Sequence, residues 1–183
     1  KSLHFDTTIT DTLHRHVQTL AHISAGLGQG INATPWPGLN EYDSEAVITT
    51  VHREPLDRTP SPENYRHHFR LLRTGLIQWM LGQVQPQGMP SWQVFTQQVV
   101  EVLDHVRSCE HARVLLVSSG GPIATALSHV LTTPVATTID LNMRIRNSAV
   151  SELSFTRSRH SLMTFNTLPH LDHPQFADWV TSA

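Results

Sequence analysis

The sequence predicts an α/β protein, and three observations support this class. Short runs rich in apolar and β-branched residues, which are typical of strands, occur at 5–9 and 113–117. Each run is followed by a segment with the features of a helix. Hydrophobic residues make up 39% of the chain and charged residues 15%, a composition that folds rather than stays disordered.

The first part of the chain reads as strand, helix and loop. β-branched and aromatic residues at 5–9 predict the strand, and the Thr-Asp-Thr run at 10–12 offers caps for a helix over about 13–25. Three glycines then end this helix. Prolines keep the following chain irregular. We therefore expect Glu41 to lie in a loop.

Residues 44–90 read as a variable lid region. A short helical stretch is predicted near 44–52, and the proline- and charge-rich segment 53–61 is predicted to be an exposed connection. Pro62 suits the first turn of a helix that runs to about Leu81. The core stripe of this helix is predicted from residues spaced three or four apart: Tyr65, Phe69, Leu72, Leu76 and Met80.

A second core helix is predicted ahead of the second strand. Ser91 offers a cap for it, and its core face is predicted from the helical spacing of Phe95, Val99, Val102 and Val106. The apolar run 113–117 predicts a strand covered on both faces. The turn at 118–122 then leads into a helix that ends near Leu131.

The last part of the chain predicts two more strands and a short helix. The strands are expected near 148–156 and 161–166, and the terminal helix contains Phe176 and Trp179. No internal repeat or low-complexity tract interrupts the chain. Residues 1–183 are therefore read as a single domain.

Charge and cysteine content exclude several function classes. The net charge is −2 and the basic residues are scattered, so no nucleic-acid partner is expected. The one cysteine, Cys109, cannot form an internal disulfide, and no apolar run reaches the length of a membrane helix. The prediction is a soluble protein of the reducing cytoplasm with no membrane partner.

The turn from Ser118 to Pro122 is the strongest local signal for a binding site. Its glycines allow backbone N–H groups and a helix N-terminus to face an anion such as phosphate. The alternative is a tight turn that needs glycine only for its backbone angles. The turn by itself leaves both interpretations open.

Two charged residues elsewhere are candidate partners of that turn. Arg15 lies in the first turn of the helix after the first strand, where a guanidinium can bind phosphate with two hydrogen bonds. Glu41 lies between the apolar residues Leu39 and Tyr42, a setting that raises a carboxyl pKa toward that of a general acid. Taken singly, each is better explained as a solvated surface residue.

Several segments resemble one known family in the same order along the chain. Residues 5–19 resemble its strand and Leu-x-Arg-x-x-x-Thr helix start, 37–43 its Leu-x-Glu segment, and 114–123 the strand that reads Val-x-His-Gly-Gly. Its closing strands are similar to 141–150 and 165–171. This family is the histidine phosphatase (phosphoglycerate mutase-like) superfamily, in its small phosphatase branch.

The resemblance implies roles for four residues. Arg15 matches the second phosphate-binding arginine, and Glu41 matches the acid that protonates the leaving oxygen. Ser119 stands where the family has its second histidine and supplies a hydrogen bond only, and the amide of Gly120 would bind a phosphate oxygen beside it. The implied fold is a three-layer sheet with helices on both faces. The implied substrate is a small phosphorylated molecule, with no metal and no cofactor.

The resemblance also marks a difference at the front of the chain. The family's first strand ends in an Arg-His-Gly motif whose histidine becomes phosphorylated, and no such triplet occurs here. Arg15-His16 and Arg66-His67 are followed by other residues and fall on predicted helices. We therefore expect that a preceding segment of roughly 40 residues supplies the first, central strand and the nucleophile, because without it a buried sheet edge would stay unpaired.

Three functions stay open on this basis. The first is a phosphatase that works through a phosphohistidine outside this chain. The second is a catalytically inactive module that binds a phosphate ester, suggested by Ser119 and the absent triplet. The third is metal binding by some of the 13 histidines, which is disfavoured because histidines one or two residues apart on a helix do not share a face.

Overall fold

The computed structural model describes residues 4–110 and 113–182 and confirms the α/β class. The helices are α1 (His14–Leu27), α2 (Ser44–Thr49), α3 (Pro62–Met80), α4 (Trp92–Ser108), α5 (Gly120–Leu131) and α6 (Val135–Asn142). The strands are β1 (Thr7–Thr10), β2 (Thr34–Pro35), β3 (Val114–Val117), β4 (Val150–Phe155) and β5 (His160–Thr167). Short 3-10 helices span Pro37–Leu39, Pro169–Leu171 and Pro174–Trp179.

The central sheet is parallel and has the order β2-β1-β3. Ile9 lies opposite both Thr34 and Leu116, and Thr10 lies opposite Pro35 and Val117. Both edges of β1 are therefore hydrogen-bonded, whereas β3, at the end of this order, pairs with one strand among the described residues. Because the strands are parallel, the chain leaves β1 and β3 at the same edge of the sheet.

The last two strands form a separate unit. β4 and β5 pair antiparallel as a hairpin and make no ladder with the three-stranded sheet. The hairpin contacts α5 through β5. It thus packs against the helix that follows the predicted phosphate-binding turn.

Helix α4 connects the two parts of the hydrophobic core. All four residues predicted for its core face are buried, as expected from their spacing. Phe95 and Val99 pack in a cluster with α2, α3 and α6, whereas Val102 and Val106 pack against Ile9 of β1. Ser91 caps α4 by accepting the Val94 N–H, which confirms the predicted start.

The predicted core stripe of α3 is only partly right. Leu72 and Leu76 are buried, but Tyr65 is 59% exposed, so its assignment to the core was wrong. The buried residues of α3 begin only at Leu72, because the first turns of this long helix extend beyond the core. Trp79, which the stripe omitted, is 1% exposed and packs among the core aromatic rings.

One other prediction needs correction, and one helix was not predicted. Of the β3 residues Val117 is fully buried and the other three are half-buried, so the predicted cover on both faces is incomplete. The sequence also gave no sign of α6, which begins after Pro134 and places Ile139 in the core. Its β-branched residues lower helix propensity, and packing overrides that preference.

The connection at 53–61 has no regular secondary structure and is largely exposed, as predicted. Glu45 and Arg58 form an exposed ion pair across it, with 2.9 Å between Oε1 and Nη2. Within the described part of the chain, no helix is long and apolar enough to cross a membrane.

Replacing Leu76 tests the position of the core. Leu76 is fully buried where α3 packs in the main cluster, so Leu76→Ala is expected to lower the free energy of unfolding by about 2–5 kcal/mol. Leu81→Ala is the matched control, because Leu81 is 55% exposed and its change should stay within about 0.5 kcal/mol. Urea denaturation followed by tryptophan fluorescence measures both, and equal losses would contradict the assigned core.

Candidate active site

The parallel pairing of β1 and β3 brings two distant segments together. Asp11, which directly follows β1, donates its backbone N–H to the carbonyl of Val117 at 3.2 Å. Helix α1 begins three residues after Asp11, and α5 begins three residues after Val117. The N-terminal ends of both helices consequently lie at one edge of the sheet.

Arg15 and Ser119, which the sequence proposed as phosphate ligands, meet at this edge. Arg15 Nη2 donates to Ser119 Oγ at 2.8 Å, across 104 residues of chain. Arg15 is exposed, whereas Ser119 is half-buried as the residue that immediately precedes α5. The Arg15 guanidinium thus lies beside the turn, where it can bind an anion.

The loop that carries Glu41 is tied to the same edge. Ser118 Oγ donates to the carbonyl of the buried Leu39 at 2.8 Å. Asn40 Oδ1 accepts the backbone N–H of Thr12 at 2.9 Å and the Thr12 hydroxyl at 3.0 Å. These hydrogen bonds hold the loop against the starts of both α1 and α5.

The Glu41 carboxylate points toward the first turn of α5. Its Oε2 accepts the Gly121 N–H at 3.0 Å, and its Oε1 accepts the Tyr42 N–H at 3.0 Å. The structure therefore brings Arg15, Glu41, Ser119 and the glycine turn into one site, although they come from three segments.

Burial sets the protonation of the two acidic groups in this loop. The pKa of Glu41 is raised above its ordinary value of 4.5, because burial penalises the charged form more than the Gly121 and Tyr42 amides and Arg15 stabilise it. Burial, and then the nearby Glu41, also raises the pKa of the Tyr42 phenol. The Tyr42 oxygen accepts a hydrogen bond from Asn142 Nδ2 at 2.7 Å. Glu41 is thus placed to hold a proton that an ordinary carboxyl would lose.

The two glycines of the turn are required by close contacts and not by unusual backbone angles. Neither Gly120 nor Gly121 has a positive φ. A Cβ on Gly121 would lie 2.1 Å from Glu41 Oε1, and a Cβ on Gly120 would lie 2.8 Å from Asn142 Oδ1. The absence of side chains is what allows Glu41 to reach the backbone of α5.

Sequence reasoning missed two residues of the site, Asp11 and His16. It treated 10–12 as caps for α1, but the cap position is Leu13, whose N–H donates to Asp11 Oδ1 at 3.0 Å. The other carboxylate oxygen, Oδ2, is hydrogen-bonded to His16 Nδ1. His16 Nε2 lies 3.3 Å from Ser119 Oγ. His16 is helical, as predicted. The aspartate five residues before it was the sequence signal that could have indicated this hydrogen-bonded pair.

Histidine side chains outside the site described above contact other protein groups. Within 4–110 and 113–182, no three histidine, cysteine, aspartate or glutamate side chains are grouped so that they could hold a metal ion. His67 instead contacts the ring of His52, with 5.8 Å between centroids. His170 Nε2 lies 3.0 Å from Ser148 Oγ.

Comparison with known proteins gives a family match over most of the chain. A model of the histidine phosphatase superfamily (branch 1) matches residues 1–168. Among curated proteins there is no match.

Three solved structures illustrate the shared fold. The α-ribazole phosphatase of Shigella flexneri has a TM-score of 0.62 at 15% identity, over 90% of this chain and 75% of that one. A phosphoserine phosphatase mutant of Entamoeba histolytica in complex with phosphoserine has a TM-score of 0.56 at 18% identity, over 91% and 76%. A mycobacterial glucosyl-3-phosphoglycerate phosphatase has a TM-score of 0.56 at 17% identity, over 88% and 77%.

Adding a methyl group at Gly121 tests the close packing of the site. Gly121→Ala is expected to displace the Glu41 carboxylate and to lower the free energy of unfolding by about 1–3 kcal/mol, because the new Cβ overlaps Glu41 and Tyr42. Gly26→Ala on α1 is the control, since nothing lies within 4 Å of its Cβ position, and its stability should be unchanged or slightly higher. Thermal unfolding distinguishes them, and a fully stable Gly121→Ala protein would contradict the contact.

Proposed function

The chain belongs to the histidine phosphatase superfamily, and from that premise we propose that it hydrolyses a small phosphomonoester at the edge where α1 and α5 begin. The observation that supports this most directly is the meeting of Arg15 and Glu41 at the turn before α5. One residue neutralises phosphate charge there and the other holds a proton for the leaving oxygen. These are the two main needs of metal-independent phosphoryl transfer.

Phosphate would bind between the guanidinium and the start of α5. Arg15 is exposed and already donates to Ser119, so a phosphate oxygen beside Ser119 lies within its reach. The 12-residue helix α5 directs its N-terminal N–H groups to the same place. Ser119 Oγ and the Gly120 amide would complete the set of ligands.

Glu41 would act as the general acid. Its raised pKa keeps the carboxyl protonated at higher pH than usual, and its contact with Gly121 places it beside the bound phosphate. Proton transfer to the leaving alkoxide matters most when that alkoxide is a poor leaving group. Glu41 therefore sets which esters can be cleaved.

The nucleophile is proposed to lie outside residues 1–183. The superfamily forms a phosphohistidine on an Arg-His-Gly histidine, and this triplet does not occur in the sequence. Attack by that histidine and later hydrolysis by water would divide the reaction into two steps. Arg15 and the N-terminus of α5 would bind the phosphoryl oxygens in both steps.

A phosphate-ester binding module without turnover is the second candidate. It is favoured by Ser119, which replaces the second histidine and supplies a hydrogen bond where the family has an imidazole. This candidate predicts saturable binding of phosphate esters without release of phosphate. Arg15 would be essential for that binding as well.

The substrate is proposed to be a small phosphorylated molecule selected by residues 44–90. The three structural neighbours are phosphatases whose names give different phosphate esters, so their shared fold supports the reaction class and not one substrate. The exposed connection 53–61 lies within this region. A cytoplasmic location stays a prediction.

Removing the guanidinium tests the phosphate site. In protein extended to its natural upstream sequence, Arg15→Ala is expected to lower kcat/KM for p-nitrophenyl phosphate by about 10²-fold or more. Arg157→Ala is the control, because Arg157 is exposed between β4 and β5 and lies outside residues 44–90, and it should keep wild-type activity. Turnover that survives in Arg15→Ala would rule out the proposed site, and binding without turnover in wild type would favour the second candidate.

Replacing Glu41 tests the acid. Glu41→Gln is expected to lower kcat/KM for an alkyl phosphate by about 10²–10⁴-fold and to leave p-nitrophenyl phosphate nearly unchanged. Because the protonated carboxyl is the active form, wild-type activity on the alkyl ester should fall as pH rises through the raised Glu41 pKa, and this alkaline limb should vanish in the variant. Glu152→Gln, at an exposed position of β4 outside residues 44–90, is the matched control. Equal losses for both esters would exclude the acid role.

A further inference from the structure

Asp11, His16 and Ser119 form a hydrogen-bonded chain that the proposed hydrolysis does not use. Asp11 Oδ2 is bonded to His16 Nδ1, and His16 Nε2 lies 3.3 Å from Ser119 Oγ. Arg15 Nη2 donates to the same Ser119 oxygen at 2.8 Å. A carboxylate, an imidazole and a hydroxyl in this order are the arrangement that activates a serine.

The partners of each group fix the direction of the protons. The Asp11 carboxylate only accepts, and its other oxygen is occupied by the Leu13 N–H, so His16 Nδ1 carries a proton. In the neutral imidazole His16 Nε2 is then the acceptor, and it faces the Ser119 hydroxyl. Because Arg15 donates to Ser119 Oγ, the Ser119 proton is free to point toward His16. His16 is consequently oriented as a base for this hydroxyl.

Within this group of three hydrogen-bonded side chains, Asp11 and His16 are buried and Ser119 is accessible. Asp11 is 0% exposed and His16 is 9% exposed, so the carboxylate and the ring are held away from water. Ser119 is half-buried, and the Arg15 beside it is exposed. A ligand can therefore reach the hydroxyl but not the carboxylate.

Glu41 is a second acceptor near the same hydroxyl. Burial raises its pKa, which favours the protonated carboxyl, and its two oxygens already accept the Gly121 and Tyr42 amides. A protonated carboxyl is a poor base. The Ser119 proton is therefore better taken by His16.

We propose that Ser119 is itself a nucleophile toward tetrahedral phosphorus esters, activated by His16 and Asp11. The Ser119 Oγ–P bond forms while the bond from phosphorus to its leaving group breaks. The Ser119 proton passes to His16 Nε2, and the leaving group departs with its electron pair and takes the Glu41 proton when it is an alkoxide. Arg15 and the start of α5 face the phosphoryl oxygen. This activity goes beyond the proposed function, because its product is a phosphoserine and it needs no residue outside the chain.

The test is covalent labelling of the 183-residue chain with an alkyl fluorophosphonate. Attack by Ser119 displaces fluoride and leaves a stable adduct, which intact-mass measurement and peptide mapping locate. The expected result is one adduct on Ser119 in folded protein and none in urea-denatured protein. This comparison needs no variant, so it holds even where a substitution impairs folding.

The labelling rates of variants then distinguish the role of Ser119 from that of His16. Ser119→Ala should abolish the adduct, and His16→Gln should slow labelling by about 10²-fold or more, as expected for loss of a general base. Ser154→Ala is the matched control and should label at the wild-type rate, because Ser154 is exposed on β4 and its hydroxyl donates to the Ser161 carbonyl. No adduct at Ser119 in folded protein, or equal labelling of a folded His16→Gln variant, would overturn the proposal.

A phosphoryl donor distinguishes this proposal from the phosphohistidine pathway. After rapid mixing with p-nitrophenyl phosphate and an acid quench, a phosphoserine at 119 survives, whereas a phosphohistidine does not. Fluorophosphonate labelling on Ser119 together with acid-labile phosphoenzyme in the extended protein would support both nucleophiles. Labelling without any hydrolysis in the extended protein would support Ser119 and reject only the proposed hydrolysis.

Discussion

The carboxylate of Glu41 lies against Gly121, a residue with no side chain, and the geometry of the site depends on this contact. A Cβ at Gly121 would lie 2.1 Å from Glu41 Oε1, so the loop can reach the α5 backbone only because glycine stands there. Burial of the carboxyl in this position raises its pKa, even though the hydrogen bond from the Gly121 N–H lowers it. The glycine therefore determines the position of the proposed acid, and burial determines its protonation.

The parallel sheet supplies the rest of the arrangement. Pairing of β1 with β3 places the starts of α1 and α5 side by side, and Ser118 and Asn40 fasten the Glu41 loop between them. The two adjacent serines have different roles. The Ser118 hydroxyl donates to the backbone carbonyl of Leu39. The Ser119 hydroxyl oxygen accepts a hydrogen bond from Arg15, and it also lies next to His16 Nε2.

The parts predictable from the sequence were those set by local signals. Helical spacing and the cap at Ser91 identified α4 and its buried face, and the glycine turn located the start of α5. The predictions that failed concern positions where tertiary packing determines the structure. Tyr65 fits the stripe of α3 but lies beyond the core, and α6 forms despite β-branched residues because Ile139 packs in the core. The contact of His16 with Ser119 joins residues that are 103 positions apart, which no local pattern encodes.

The most direct test of the account is the binding of inorganic phosphate to the 183-residue chain, followed by NMR of its backbone amides. The central claim is that three separate segments form one anion site at the start of α5. Saturable phosphate binding with the largest shifts at the Gly120 and Gly121 N–H groups, and a shifted Arg15 guanidinium signal, is the predicted result. The claim would be contradicted by an absence of saturable shifts, or by the largest shifts at another helix start.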